Sequence, residues 1–346
     1  MVVFWAMFLV AAWGVLSPRS MPAGQARAMW LAVGFTFTVL IGLRHEVGGD
    51  WFNYIPHFLR ASTMTFAEAA AMGDPGHYVL NMWVSQIGGD IYLVNLVYAV
   101  LMMWGTMVFC RRQPNPWLAL MAAVPYMLIV VGMGYTRQSA ALGLSLIGLV
   151  ALGEHRVRTF IICVAIGALF HKSAVLLLPI AALAASRNRI LTGAIVAASA
   201  LLLYYLLLVD TADDMWRNYV EEQMQSQGGL IRVVMNFVPA MVLIVFRRRL
   251  VPDPQERKLW LWIAVFAIVC VPMVFLASTA VDRVALYFIP LQLFVFARLP
   301  GLATNVTSRT GIVVGIVLYY AAVQYVWLNY ATHSQYWTPY QFMPLG

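Results

Sequence analysis

Charge is what this 346-residue chain has least of. Asp, Glu, Lys and Arg make up only 10% of it, against about 25% in an ordinary soluble domain. With 62% hydrophobic residues, it has too little polar surface to cover itself in water. That excludes a cytosolic enzyme, a nucleic-acid module and a disordered regulator. Lysine is nearly missing, and Lys172 and Lys258 stand alone among arginines. Cysteine is rare as well. Cys110, Cys163 and Cys270 fall in or beside apolar runs without metal spacing, so no disulfide is expected. HExxH, CxxC and P-loop signatures are absent, as is a DxD pair, so neither metal nor cofactor is expected. Met1–Leu16 lacks the basic flank and small-residue cleavage site of a signal peptide and reads as a first span.

What the chain has in quantity is apolar runs. Twelve are legible: Val2–Leu16, Met29–Leu43, Ile91–Phe109, Trp117–Met133, Ala140–Leu152, Thr159–Phe170, Ala174–Ala185, Ile190–Val209, Ile231–Phe246, Leu259–Ala277, Val284–Ala297 and Gly311–Asn329. They predict an all-α polytopic membrane protein of about twelve transmembrane helices, folded as a single transmembrane domain over residues 1–346. Two outer-face loops, 44–90 and 210–230, are predicted to carry short interfacial helices, one of them over His77–Gly89. Basic residues alternate between the two sets of loops. One set carries 15 of the 22 bases against three of the 14 acids, and is therefore cytoplasmic. The net charge of +8 is thus mostly a topology signal. The seven bases of the other set (Arg44, Arg60, Arg137, Lys172, Arg217, Arg232 and Arg283) have no such explanation.

Several runs are also short. The twelve residues Thr159–Phe170 rise roughly 18 Å against a hydrocarbon core of about 30 Å. Polar groups just beyond such runs lie at membrane depth, where they need a partner or a wet cavity. We therefore expect a polar cavity opening on the outer face, lined by Arg44, Arg137, His171, Lys172 and Arg283.

Four segments carry the chemistry. In Gly42–Tyr54, Arg44, Glu46 and Asp50 flank a Gly-Gly turn. This reads as an anion-binding guanidinium beside a carboxylate base, or as an ion pair closing a helix end. In Gly132–Gln138, small residues end one helix and Arg137-Gln138 opens the next. A cation there is unfavourable by itself and favourable if an anion docks; the plainer alternative is an Arg reaching for headgroups. His171-Lys172-Ser173 interrupts an apolar run and reads as functional or as an ordinary structural histidine. Asp282-Arg283 precedes a span, with Tyr287 one turn on.

These motifs, in this order, resemble the EpsG family of Wzy-like bacterial exopolysaccharide polymerases. The resemblance rests on Arg44, Glu46, Gly48, Asp50 and Tyr54 after the second span, on Arg137-Gln138, and on His171-Lys172-Ser173-Ala174. It extends to Gly228-Gly229-Leu230-Ile231-Arg232 and to Arg283, and covers about residues 30 to 300. Gly49 departs from it, standing where a small hydroxyl residue is common, and the last 17 residues match nothing in it. The resemblance implies a multi-pass protein of the bacterial inner membrane, GT-C-like, with its site facing the periplasm. It implies transfer of a glycan from polyprenyl pyrophosphate to another lipid-linked repeat. Expected partners are that lipid-linked oligosaccharide, membrane lipids and a chain-length regulator, with no nucleic acid. On this basis Asp50, Glu46, His171, Arg137 and Arg283 are the candidate catalytic residues. Arg44, Tyr54, Gln138, Lys172, Arg232, Asp282 and Tyr287 are candidates for substrate binding. A flippase for lipid-linked glycans and a membrane O-acyltransferase are the alternatives.

Overall fold

The computed structural model describes residues 1–17, 22–184, 189–207 and 228–343. Within these, each of the twelve apolar runs coincides with helix. Among the described residues, six helices are long and apolar enough to cross a membrane. They are α2 (Ala23–Gly42), α6 (Ile91–Arg111), α7 (Pro116–Gly134), α8 (Thr136–Gly153), α12 (Gly229–Leu250) and α16 (Val306–Tyr330). A seventh arises if Ser278–Phe288 and Pro290–Leu302, bent by 42°, count as one span. Val2–Leu16 (α1), Val157–Phe170 (α9), Lys172–Ala184 (α10) and Ile190–Leu202 (α11) are apolar but shorter. By length and composition, six or seven of the described helices thus qualify as full spans. The chain is a multi-pass, all-α membrane protein, and among the described residues it has one two-stranded ribbon, β1 (Arg44–His45) against β2 (Gln341–Phe342).

The backbone divides into two compact units, Met1–Gly143 with Val313–Gly346, and Leu144–Ile312. In the first unit, α2 packs on α6 and α1 on the first half of α7. Helix α6 begins at Asp90, whose carboxylate accepts from the Tyr92 and Leu93 amides at 3.0 and 3.2 Å, satisfying two orphan donors of the first turn. Helix α7 is apolar all round and almost wholly buried, as expected of a helix enclosed by others. From Val124 to Val131 it winds as a π-helix, starting beside Pro125.

The loop between α2 and α6 holds three non-spanning helices: α3 (Trp51–Ala61), α4 (Phe66–Ala70) and α5 (Pro75–Gln86). α4 is opened by a capping box between Thr65 and Glu68. The interfacial helix expected over His77–Gly89 is α5, with His77, Tyr78, Asn81 and Met82 buried and Trp83 and Ile87 exposed. The second outer loop lies mostly outside the described residues.

In the second unit, α12 packs against α13 (Pro254–Met273), α14 (Ser278–Ala285) and α15 (Pro290–Arg298). Buried Asn236 on α12 donates to the Ala285 carbonyl at 2.8 Å and accepts from Gln292 at 2.7 Å. These bonds satisfy amides that would be costly to bury alone.

Candidate functional site

The Arg44 loop is built as a clasp. Arg44 is 1% exposed. Its Nη1 donates to the Ile41 carbonyl at 2.7 Å, its Nε to the Val47 carbonyl at 2.9 Å, and its Nη2 to Thr136 Oγ1 at 3.0 Å. Ile41 belongs to the last turn of α2, where carbonyls lack helical partners and cations are favourable. Burial pulls the guanidinium down to about 10, partly offset by Tyr54, Tyr340 and Asp50, so it stays charged at neutral pH. Each guanidinium nitrogen thus has one bond inside the protein, to the helix end, to the loop or to the first residue of α8. Glu46 is exposed with left-handed backbone, and its carboxylate lies 3.8 Å from His45 Nε2.

Beyond the clasp the chain turns at Gly48 and starts α3. Asp50 sits at its N-terminus, and Tyr54, one turn on, donates to Asp50 Oδ2 at 3.4 Å. Arg137 lies over the Tyr54 ring, 5.6 Å from its centroid. Its Nη1 donates to Asp74 Oδ2 at 2.5 Å. That ion pair joins the first turn of α8 to the start of α5, with side chains 27% and 9% exposed. The Nε of Arg137 is buried and has no hydrogen-bond partner. Beside this pair runs a chain of rings. His57 Nδ1 is 3.2 Å from His77 Nε2, and His77 Nδ1 is 2.7 Å from the Tyr98 hydroxyl. Asn81 braces it by donating to the His77 carbonyl at 2.7 Å.

Burial holds both histidines below their ordinary value, His77 strongly, and the Arg137 cation adds to the effect. Both are therefore neutral at neutral pH. Below the ordinary histidine value of 6.5, the unfolded chain takes up protons that the folded chain refuses. Stability is thus full above that pH and is lost as the pH falls toward the folded values. The thermal midpoint of the solubilised protein is expected to drop on acidification from about pH 7 to about pH 5. The drop should be shallower in His77→Gln; a slope unchanged by that substitution would refute the assignment.

The remaining candidates lie in the second unit, except Gln138, which is buried in the first turn of α8. His171 ends α9 in extended backbone, and its Nδ1 is 2.6 Å from Ser173 Oγ, which in turn donates to Tyr287 Oη at 3.1 Å. Lys172 is the first residue of the 3-10 stretch that follows. Arg232 grips Asp282 with two parallel bonds, Nε to Oδ1 at 2.6 Å and Nη2 to Oδ2, the bidentate fork that makes such pairs strong. Arg283 is half-buried on α14.

The predicted residues thus fall into two groups, one in each unit: Arg44, Glu46, Asp50, Tyr54, Arg137 and Gln138, and His171, Lys172, Arg232, Asp282, Arg283 and Tyr287. Two of the cations assumed to await an anion, Arg137 and Arg232, are held by carboxylates instead. Sequence reasoning missed Asp74, His57, His77 and Tyr98. The available signals were slight: His57 stands three residues after Tyr54 on one helical face, and Asp74-Pro75-Gly76 reads simply as a turn.

The EpsG family matches this chain over residues 27–342, including most of the tail that the sequence motifs left unassigned. No curated protein and no solved structure matches it.

Proposed function

This chain belongs to the EpsG family, and from that premise we propose that it is an exopolysaccharide polymerase of the bacterial inner membrane. In this proposal it is a GT-C-like glycosyltransferase with about twelve membrane-embedded segments and its site at the periplasmic face. It transfers a growing glycan from polyprenyl pyrophosphate to the non-reducing sugar of a second lipid-linked repeat, inverting the anomeric carbon and using no metal. The observation that carries this is Arg137. A guanidinium in the first turn of a helix, fixed by Asp74 and seated on Tyr54, is oriented before any anion arrives. Such preorganised charge stabilises the negative charge that develops on a departing diphosphate. The buried Nε of Arg137 has no hydrogen-bond partner, which leaves part of the planar fork for phosphate oxygens.

The acceptor hydroxyl needs a base, and Asp50 is assigned that role, with Tyr54 donating to its carboxylate. Glu46, turned outward, and His171 stand behind it. The transfer releases the donor's lipid diphosphate, while the acceptor repeat stays attached to its own. Arg283, with Lys172 and Tyr287, is kept as a separate candidate for binding lipid diphosphate, independent of Arg137. Arg44 and Arg232 hold structure in this scheme.

The test is product length. Purified protein in vesicles is supplied with lipid-linked repeats on the face bearing Arg137. A ladder of lengthening glycans on lipid supports the polymerase. Single repeats that cross the bilayer without lengthening would identify a flippase instead, and acylated repeats of unchanged length an acyltransferase.

A further inference from the structure

The carboxyl-terminal segment is folded over the Arg44 loop. The Gly48 amide donates to the Tyr336 carbonyl at 2.8 Å, β2 pairs with β1, and the Met343 amide donates to the Leu43 carbonyl at 2.9 Å. Tyr340 adds a bond from its hydroxyl to the Leu40 carbonyl at 2.7 Å and an edge contact with Phe4. Trp337 lies at the centre. It is 2% exposed, and its Nε1 donates to the Ile129 carbonyl, inside the π-helical turn of α7, at 3.0 Å. The Cζ2–Cη2 edge of its ring fills the space that a side chain at Gly134 would occupy, and the adjoining Cη2 and Cζ3 atoms lie within ordinary contact of where a Cβ at Gly49 would stand.

Gly49 immediately precedes Asp50, and Gly134 stands three residues before Arg137. A single rigid indole therefore packs against both the segment that carries the carboxylate and the segment that carries the guanidinium. We propose that Trp337 is a positioning residue of the transfer site, setting the separation of Asp50 and Arg137 through Gly49 and Gly134. This rests on the polymerase assignment, but the spacing itself can be examined without it. An indole suits the task because it is large and rigid and its N–H needs the partner that the π-helical carbonyl supplies.

The experiment uses the full chain in vesicles, with thermal unfolding measured for every variant. Trp337→Ala is expected to lower turnover by about 10- to 100-fold, as misplacement of reacting groups by about 1 Å does. The half-saturating concentration of lipid-linked repeat should move less than about threefold. Trp337→Phe, which keeps an aromatic wedge, should retain most of the turnover. Gly134→Ala should reproduce the loss, and adding Trp337→Phe to it should relieve the loss in the double variant, a coupling that independent effects would not give.

A second arm needs no activity. The native cysteines Cys110, Cys163 and Cys270 are buried, so Gly49→Cys provides one accessible thiol. Its labelling should quicken by about fivefold or more when Trp337→Ala is added, because the loop opens. Turnover of Trp337→Ala within about twofold of the parent, rates that merely follow the folded fraction in every variant, or unchanged thiol labelling would each overturn the proposal. Faster labelling with no chain extension by the parent protein would leave the packing of the loop on Trp337 standing and sink the polymerase assignment, and with it the role in transfer.

Discussion

Arg137→Ala is expected to slow chain extension by about 10²- to 10³-fold, the usual loss when one preorganised donor to a developing charge is removed. The substitution also takes the Arg137 partner from Asp74, whose side chain is only 9% exposed. Breaking a buried pair on one side commonly costs about 3–5 kcal/mol, so loss of activity could be mistaken for loss of fold. The double variant Arg137→Ala with Asp74→Ala removes that ambiguity. It should recover thermal stability relative to Arg137→Ala and remain inactive. Arg137→Lys should also be strongly impaired, because an ammonium keeps the charge but cannot hold Asp74 and a phosphate oxygen with one planar fork. Extension rates on lipid-linked repeats, read beside unfolding midpoints, decide the matter. A well-folded double variant that polymerises at the parent rate would remove Arg137 from the mechanism.

The second large effect is expected at Gly48. Its φ is +110, a conformation that residues with a Cβ rarely adopt. A Cβ there would also overlap the Met133 carbonyl. Strained backbone costs about 1–3 kcal/mol, and forced overlap in a packed interior a comparable amount. Gly48→Ala should therefore destabilise the solubilised protein by about 3 kcal/mol or more, with a matching fall in unfolding midpoint. Its neighbour supplies the control. A Cβ at Gly49 meets only the Trp337 ring, at 3.7 and 3.8 Å, so Gly49→Ser should be tolerated. Equal midpoints for the two variants would show that the turn at Gly48 is not under this constraint.

Much of the architecture was legible because apolar runs report burial directly. All twelve mark helices within the described residues, and the break between Gly134 and Thr136 was signalled by small residues before Arg137. What was not legible depends on pairs distant in the chain. Asp74 and Arg137 are 63 residues apart, and nothing local to Asp74-Pro75-Gly76 announces an ion pair. His57 and His77 look like unrelated histidines until α3 and α5 pack together. Arg44 misled for the opposite reason. A cation after a span looks expensive, yet carbonyls at a helix end can meet its needs without any ligand. Its residue type was informative, and its partners, Val47 and Thr136 among them, were not.

The ribbon between β1 and β2 also imposes an order on biogenesis. Leu40 waits for Tyr340, a partner 300 residues further along, and Ile129 for Trp337, 208 residues on. The turn around Gly48 is inserted early but cannot be locked until almost everything else has been translated. Contacts of such span are slow to close, so a nascent protein would pass through most of its synthesis with that turn unlatched.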